Sequence, residues 1–115
     1  MVEIKKLPAV FYSTAGGKEP VREWLKTLDA ADRKIIGQDI ATAEFGWPVG
    51  MPVCRSLGDG LHEIRSDLVS HRIARVIFCV AQQHMVLLHG FIKKTQKTPQ
   101  REVDLARKRK KEVTS

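Results

Sequence analysis

The sequence predicts an α+β fold: a mostly antiparallel, twisted sheet with a helical hairpin on one face and a basic helix at the C-terminal end. Three observations lead there. Residues 20–46 carry apolar side chains at helical spacing, residues 53–92 change to a period of two in four short runs, and Thr98-Pro99 opens one more helical stretch. With 115 residues, a single domain spanning residues 1–115 is expected and a two-domain enzyme is excluded.

Each element follows from local chemistry. Val2 to Ser13 is rich in β-branched, aromatic and apolar residues and runs into the turn signal Thr14-Ala15-Gly16-Gly17. It reads as a first strand, interrupted or placed at an edge near Pro8, because proline cannot donate to a ladder. Pro20 suits the first turn of a helix whose apolar residues are Val21, Trp24, Leu25 and Leu28. Asp29, with Asp32 three residues on, has the form of an N-cap. Ile36, Ile40 and Ala43 then carry a second helix to the stop at Gly46-Trp47-Pro48.

The four runs of period two are Val53–Leu57, Leu61–Arg65, His71–Val80 and Met85–Ile92. Their gaps are short enough for hairpins, which makes the sheet antiparallel. Thr98 next reads as an N-cap and Pro99 as the first residue of a helix reaching about Val113. Its apolar stripe is thin, Val103 and Ala106 with Leu105 and Val113. This helix is expected to be weakly docked, or completed by a partner.

Apolar residues make up 43% and charged residues 29%, which supplies a core and excludes a disordered tail. The net charge of +7 is concentrated: residues 93–115 carry nine Lys/Arg against three Asp/Glu, whereas residues 1–50 carry seven of each. That end is either a solvated basic tail or a binder of a polyanion or an acidic protein. Cys54 and Cys79 make no disulfide framework and no zinc spacing, so a reduced, cytoplasmic protein is the default. No run approaches the roughly 18 apolar residues of a membrane span, and Pro8 breaks the stretch after Lys5 and Lys6 that a signal peptide would need. No metal or cofactor is expected, since His62, His71 and His84 show no ligand spacing and no carboxylate cluster suits magnesium.

Alternation sorts the strands into two faces. His62 and Ile64, Ala74, Val76, Phe78 and Val80, and Val86, Leu88, Gly90 and Ile92 fall in an apolar register that belongs against the helices. The other register gathers Glu63, Arg65, Arg75, His89, Phe91 and Lys93. Guanidinium groups bind phosphate oxygens through paired hydrogen bonds and stay charged, and an aromatic ring can stack a base, so the set suits a phosphodiester. A solvated face with cross-strand ion pairs worth ~0.2–1 kcal/mol each accounts for the same letters.

The strings Ser56-Leu57-Gly58-Asp59-Gly60-Leu61-His62-Glu63-Ile64-Arg65, Arg72-Ile73-Ala74-Arg75-Val76-Ile77-Phe78 and Leu87-Leu88-His89-Gly90-Phe91-Ile92-Lys93-Lys94-Thr95-Gln96-Lys97-Thr98-Pro99 resemble the phage-derived, HigB-like subfamily of the RelE/ParE toxins of bacterial type II toxin–antitoxin systems. The resemblance covers nearly the whole chain. It implies the RelE-like fold and a metal-independent endoribonuclease that cuts mRNA, commonly on the translating ribosome. The implied partner is a small antitoxin, often a helix-turn-helix protein, in a hetero-oligomer. The sequence departs from the family pattern at His62, where an aromatic is usual, and at Ala74-Arg75-Val76, where Tyr-Arg-Ile is usual.

On matching positions the family's basic residues fall at Arg65, Arg75, Lys93 and Lys94. The expected chemistry is attack of a ribose 2′-hydroxyl on the adjacent phosphate. Arg65 and Arg75 would bind the phosphate, Lys93 or Lys94 would share the charge, His89 or Glu63 would move a proton, and Phe91 would stack a base. Lys97, Arg101, Arg107 and Lys108 would contact RNA phosphates or an acidic segment of the antitoxin. Two other functions stay open on the same fold: a non-enzymatic inhibitor of DNA gyrase, and a plain nucleic-acid-binding module.

Overall fold

The computed structural model describes residues 4–114. Strand β1 (Ala9–Phe11) is followed by α1 (Pro20–Lys26) and α2 (Ala30–Gly46). Four strands come next: β2 (Cys54–Gly58), β3 (Leu61–Asp67), β4 (Ile73–Ala81) and β5 (His84–Lys93). Helix α3 (Gln100–Thr114) ends the order. The five strands form one sheet in the order β1-β5-β4-β3-β2, antiparallel except for the parallel pair β1–β5. This is the small, mostly antiparallel α+β architecture of RelE-like proteins.

The first strand is shorter than the apolar run containing it. It begins immediately after Pro8, which lacks the N–H a ladder needs, and the Pro8 carbonyl accepts from Met85 N at 2.8 Å. The part of that run at residues 1–3 lies outside the described residues. Glu44 pins the segment by accepting from Ala9 N at 2.7 Å and pairing with Lys5 at 3.1 Å.

Asp29 caps α2 through its carboxylate, which accepts from Asp32 N at 2.9 Å. Asp32 in turn holds the β3–β4 connection by a two-pronged pair with Arg72, at 2.8 and 3.1 Å. That hydrogen bonding raises the Arg72 pKa above its usual value. Both N-terminal helices cover one face, α1 over β5 and β1, α2 over β3. Between them and the sheet lies a core of Val21, Ile36, Ile40, Ile64, Val76, Phe78 and Leu87 with their neighbours. The Trp24 ring sits so close to Gly90 that a Cβ there would meet it at 2.4 Å.

The opposite face is not solvated. Helix α3 lies on β4 and β5 over a second core of Leu61, Ile77, Cys79, Leu88, Phe91, Val103 and Ala106. The expectation of a weakly docked last helix is therefore corrected. Burying a side chain such as Val103 contributes about 1.5–3 kcal/mol, little for a helix of 15 residues. Polar bonds supply what the thin stripe does not: His89 Nε2 meets Glu102 Oε1 at 2.9 Å, Arg109 Nη1 donates to Leu88 O at 2.8 Å, and the Tyr12 hydroxyl donates to Glu112.

A second correction concerns β5. Ile77 pairs with His89 but Phe78 with Leu87, so Leu88 is an extra residue in a β-bulge. Beyond it the alternation inverts. Leu87 and Met85 enter the core under α1 and α2, whereas Leu88 and Val86 join His89 and Phe91 under α3. Strict period two placed Val86 and Leu88 on the wrong face.

Candidate nucleic-acid interface

The pairing register arranges the polar side chains in rows. One row runs Arg55, Glu63, Ile77, His89 from β2 to β5, the next Arg65, Arg75, Phe91, and a third Asp67, Ile73, Lys93. Glu63 and Arg75 are both 0% exposed. Glu63 accepts from the Thr98 hydroxyl at 2.5 Å and pairs with Arg65 Nη1 at 3.5 Å. Thr98 thus spends its hydroxyl on Glu63, and the first helical hydrogen bonds of α3 go to the carbonyl of Pro99.

Arg75 Nη2 donates to the carbonyls of Thr95 and, at 2.9 Å, Gln96, while its Nε and Nη1 are buried with no hydrogen-bond partner. Its guanidinium stands 5.8 Å from the Phe91 ring centroid. Burial lowers the Arg75 pKa, Arg65 lowers it further and Glu63 opposes them. Above this interior layer Arg65 keeps its guanidinium at the surface, donating to Gln96 Oε1 at 3.2 Å.

Three depressions follow one another around the 94–98 segment. The largest, about 610 Å³, includes Arg55, Arg65, Asp39, Asp67 and Gln96. It shares Gln96 and Asp67 with a hollow of about 370 Å³ that contains Lys94 and Arg72. It shares Arg55 with a hollow of about 240 Å³ lined by Lys97, Thr98, Gln100 and Arg107. A basic groove therefore runs past Lys94, Arg65, Arg55, Lys97 and Arg107. Asp39 and Asp67 break its positive wall, and Arg107 is shared with Asp59 at 3.0 Å and Asp104 at 2.9 Å.

Of the residues expected from the sequence, the structure brings Glu63, Arg65, Arg75 and Phe91 together. Phe91, at 8% exposure, is an interior ring between Arg75 and His89 and offers no face to a base, because α3 covers it. Arg75 lies beneath the 95–96 carbonyls, out of reach of a ligand in the groove. His89 is two strands from Glu63, about 10 Å, and serves as the contact for Glu102. Lys93 ends the third row, half-buried, whereas Lys94, Lys97, Arg101 and Lys108 are exposed. Arg55 was not foreseen. Its signal was the Asp59-Gly60 turn, both residues at positive φ, which folds β2 onto β3 and sets Arg55 opposite Glu63.

Among the described residues no three His, Cys, Asp or Glu side chains are grouped so as to hold a metal ion. Nor is any helix among them long and apolar enough to cross a membrane.

A small, mostly antiparallel sheet with helices on both faces is consistent with the RelE-like fold of the RelE/HigB-like toxin clan. The model of the phage-derived Gp49-like protein family matches residues 23–111, and the chain belongs to that family. Membership suggests a toxin with a cognate antitoxin. No curated protein matches the chain significantly.

Proposed function

We propose that the protein is the toxin of a type II toxin–antitoxin pair and cuts mRNA on the translating ribosome in the cytoplasm without a metal ion. The observation that carries this reading is the basic groove around residues 94–98, with Arg65 held at its centre by Glu63 and Gln96. Single-stranded RNA is tracked by such cationic grooves. In the proposed step the ribose 2′-hydroxyl gives its proton to water as its oxygen attacks phosphorus, and the P–O5′ bond breaks as water protonates O5′, leaving a 2′,3′-cyclic phosphate and a 5′-hydroxyl. Arg65 stabilises the charge that accumulates on the phosphorane oxygens, and Lys94 adds a second cation.

Arg75 and Glu63 act from below as positioning residues. Arg75 fixes the carbonyls of Thr95 and Gln96, and Glu63 fixes Arg65 and Thr98. Lys97, Arg101, Arg107 and Lys108 extend the basic surface toward ribosomal RNA or an acidic antitoxin segment.

The test is cleavage of an mRNA on programmed ribosomes in EDTA, with 5′-end mapping of the products. Arg65→Ala is expected to lower the rate by at least ~100-fold, the scale of losing one preorganised donor to a transition-state oxyanion. Undiminished cleavage by that variant, or cleavage that requires added metal, would refute the proposal. Inhibition of DNA gyrase supercoiling without RNA cleavage would transfer the protein to the other branch of the superfamily.

A further inference from the structure

A fourth depression lies on the other side of the β2 edge and has a different character. It measures about 530 Å³ and includes Trp47, Val49, Met51, His62, Ser56 and Arg55. Its walls are mainly apolar, yet Arg55 is also a member of two of the depressions that make up the basic groove. Among the described residues the Arg55 guanidinium has no hydrogen bond or ion pair, so the cation at this junction is uncommitted.

The Trp47 and His62 rings meet nearly at right angles, 83°, with centroids 5.1 Å apart. They form a corner in which a planar ring can stack on one and turn its edge to the other. His62 touches Trp47 and Phe78 by ring contacts only, and neither of its nitrogens hydrogen-bonds to the protein. Burial pulls its pKa below the usual value, so at neutral pH the ring is uncharged, with one donor and one acceptor.

We infer that this groove is a nucleobase pocket: a strand crossing the β2 edge seats a phosphate on Arg55 and turns the adjoining base onto Trp47 and His62. The inference rests on the RNA-binding reading above and adds the point at which base identity is sensed. It also replaces the stacking surface that the buried Phe91 does not provide. An apolar side chain of a protein partner suits the walls equally. It gives no use for an unpaired cation shared with the basic groove, and that favours the nucleotide.

The experiment follows the indole N–H signals of Trp47 and Trp24 and the ring signals of His62 by NMR in the full chain. The probes are the four nucleoside 5′-monophosphates and, as a control without a base, ribose 5-phosphate. Trp24, packed on Gly90, is the internal reference. Saturable shifts of Trp47 and His62 with at least one monophosphate are expected, with Trp24 unmoved and ribose 5-phosphate inert. His62→Ala should weaken binding at least about five-fold, the lower end of what a stacked base contributes. Arg55→Ala and Met51→Glu alter exposed side chains, so they test the site without threatening the core, and both should weaken binding.

Silent Trp47 signals, equal shifts with ribose 5-phosphate, or unchanged binding by Arg55→Ala would overturn the pocket. So would a Trp47 response to a protein partner alone. RNA cleavage is assayed on the same sample. Cleavage with a silent Trp47 removes the pocket and leaves the nuclease; a base-dependent Trp47 response without cleavage removes the nuclease and leaves the pocket.

Discussion

At the scale of single residues, the most instructive positions are those where a side chain serves the fold instead of the surface. Gly90 belongs to the stretch that carried the family resemblance, and its requirement is steric: Trp24 occupies the space of its Cβ. Gly90→Ala is expected to cost about 1–3 kcal/mol through overpacking, read as a lower urea midpoint at unchanged slope. His62 makes a pH-dependent contribution. Its folded pKa lies below the usual 6.5, so the unfolded chain binds the proton more readily and stability falls as pH drops through 6.5. Wild type should lose melting temperature between pH 7.5 and 5, and His62→Gln should flatten the part of that loss due to the imidazole. The same logic runs in the opposite direction for Cys54, whose burial raises the thiol to about 11. Its contribution is complete below the unfolded thiol value and is lost as pH rises toward 11. The polar set Glu63, Arg65, Arg75 was legible in the letters because alternation needs only local spacing. Its division into a surface cation and two buried supports was not, since burial depends on the β5–α3 connection at residues 95–98, 20 to 35 residues further along the chain.

At the scale of elements, the strands and helices follow the periodicity of the sequence closely, and the two departures have physical causes. An inserted residue leaves no mark on composition, so the bulge at Leu88 is invisible to a count of two and reverses the faces beyond it. Helix α3 has a thin apolar stripe because much of its docking is polar, and a hydrophobic pattern does not register hydrogen bonds. The bulge and the helix are also connected, because the carbonyl of the extra residue is the acceptor for Arg109. Arg109→Ala should therefore destabilise by about 1.5–3 kcal/mol, the range for a bond to a charged group, measured by thermal or urea unfolding. A chain ending at Pro99 should bind hydrophobic dyes and unfold without a sharp transition, since Ile77, Leu88 and Phe91 would lose their cover. Retained cooperative unfolding in that truncation would show that α3 is an appendage after all.

At the scale of the whole molecule, the charge of +7 resolves into a surface with a direction. The counts placed the excess at the C-terminal end, but the groove draws Arg55 and Arg65 from the nearly neutral middle of the chain, which only the sheet brings beside Lys94 and Lys97. RNA affinity should fall steeply with salt, and Arg55→Ala with Lys97→Ala together should reduce the log–log slope by about 1.4, at 0.7 per phosphate contact of a single strand. An unchanged slope in that double variant, measured by fluorescence anisotropy on a short oligoribonucleotide, would place the RNA elsewhere. Finally, the Tyr12–Glu112 bond spans 100 positions of sequence and ties the residue that follows β1 to α3. Such a long-range closure has a consequence in time. While the protein is being synthesised, Ile77, Leu88 and Phe91 lack their cover until Val103 and Ala106 of α3 have emerged. A nascent chain whose residues 100–114 have not yet emerged is therefore expected to leave that face uncovered, and to be more exposed to aggregation and to proteases than the finished chain.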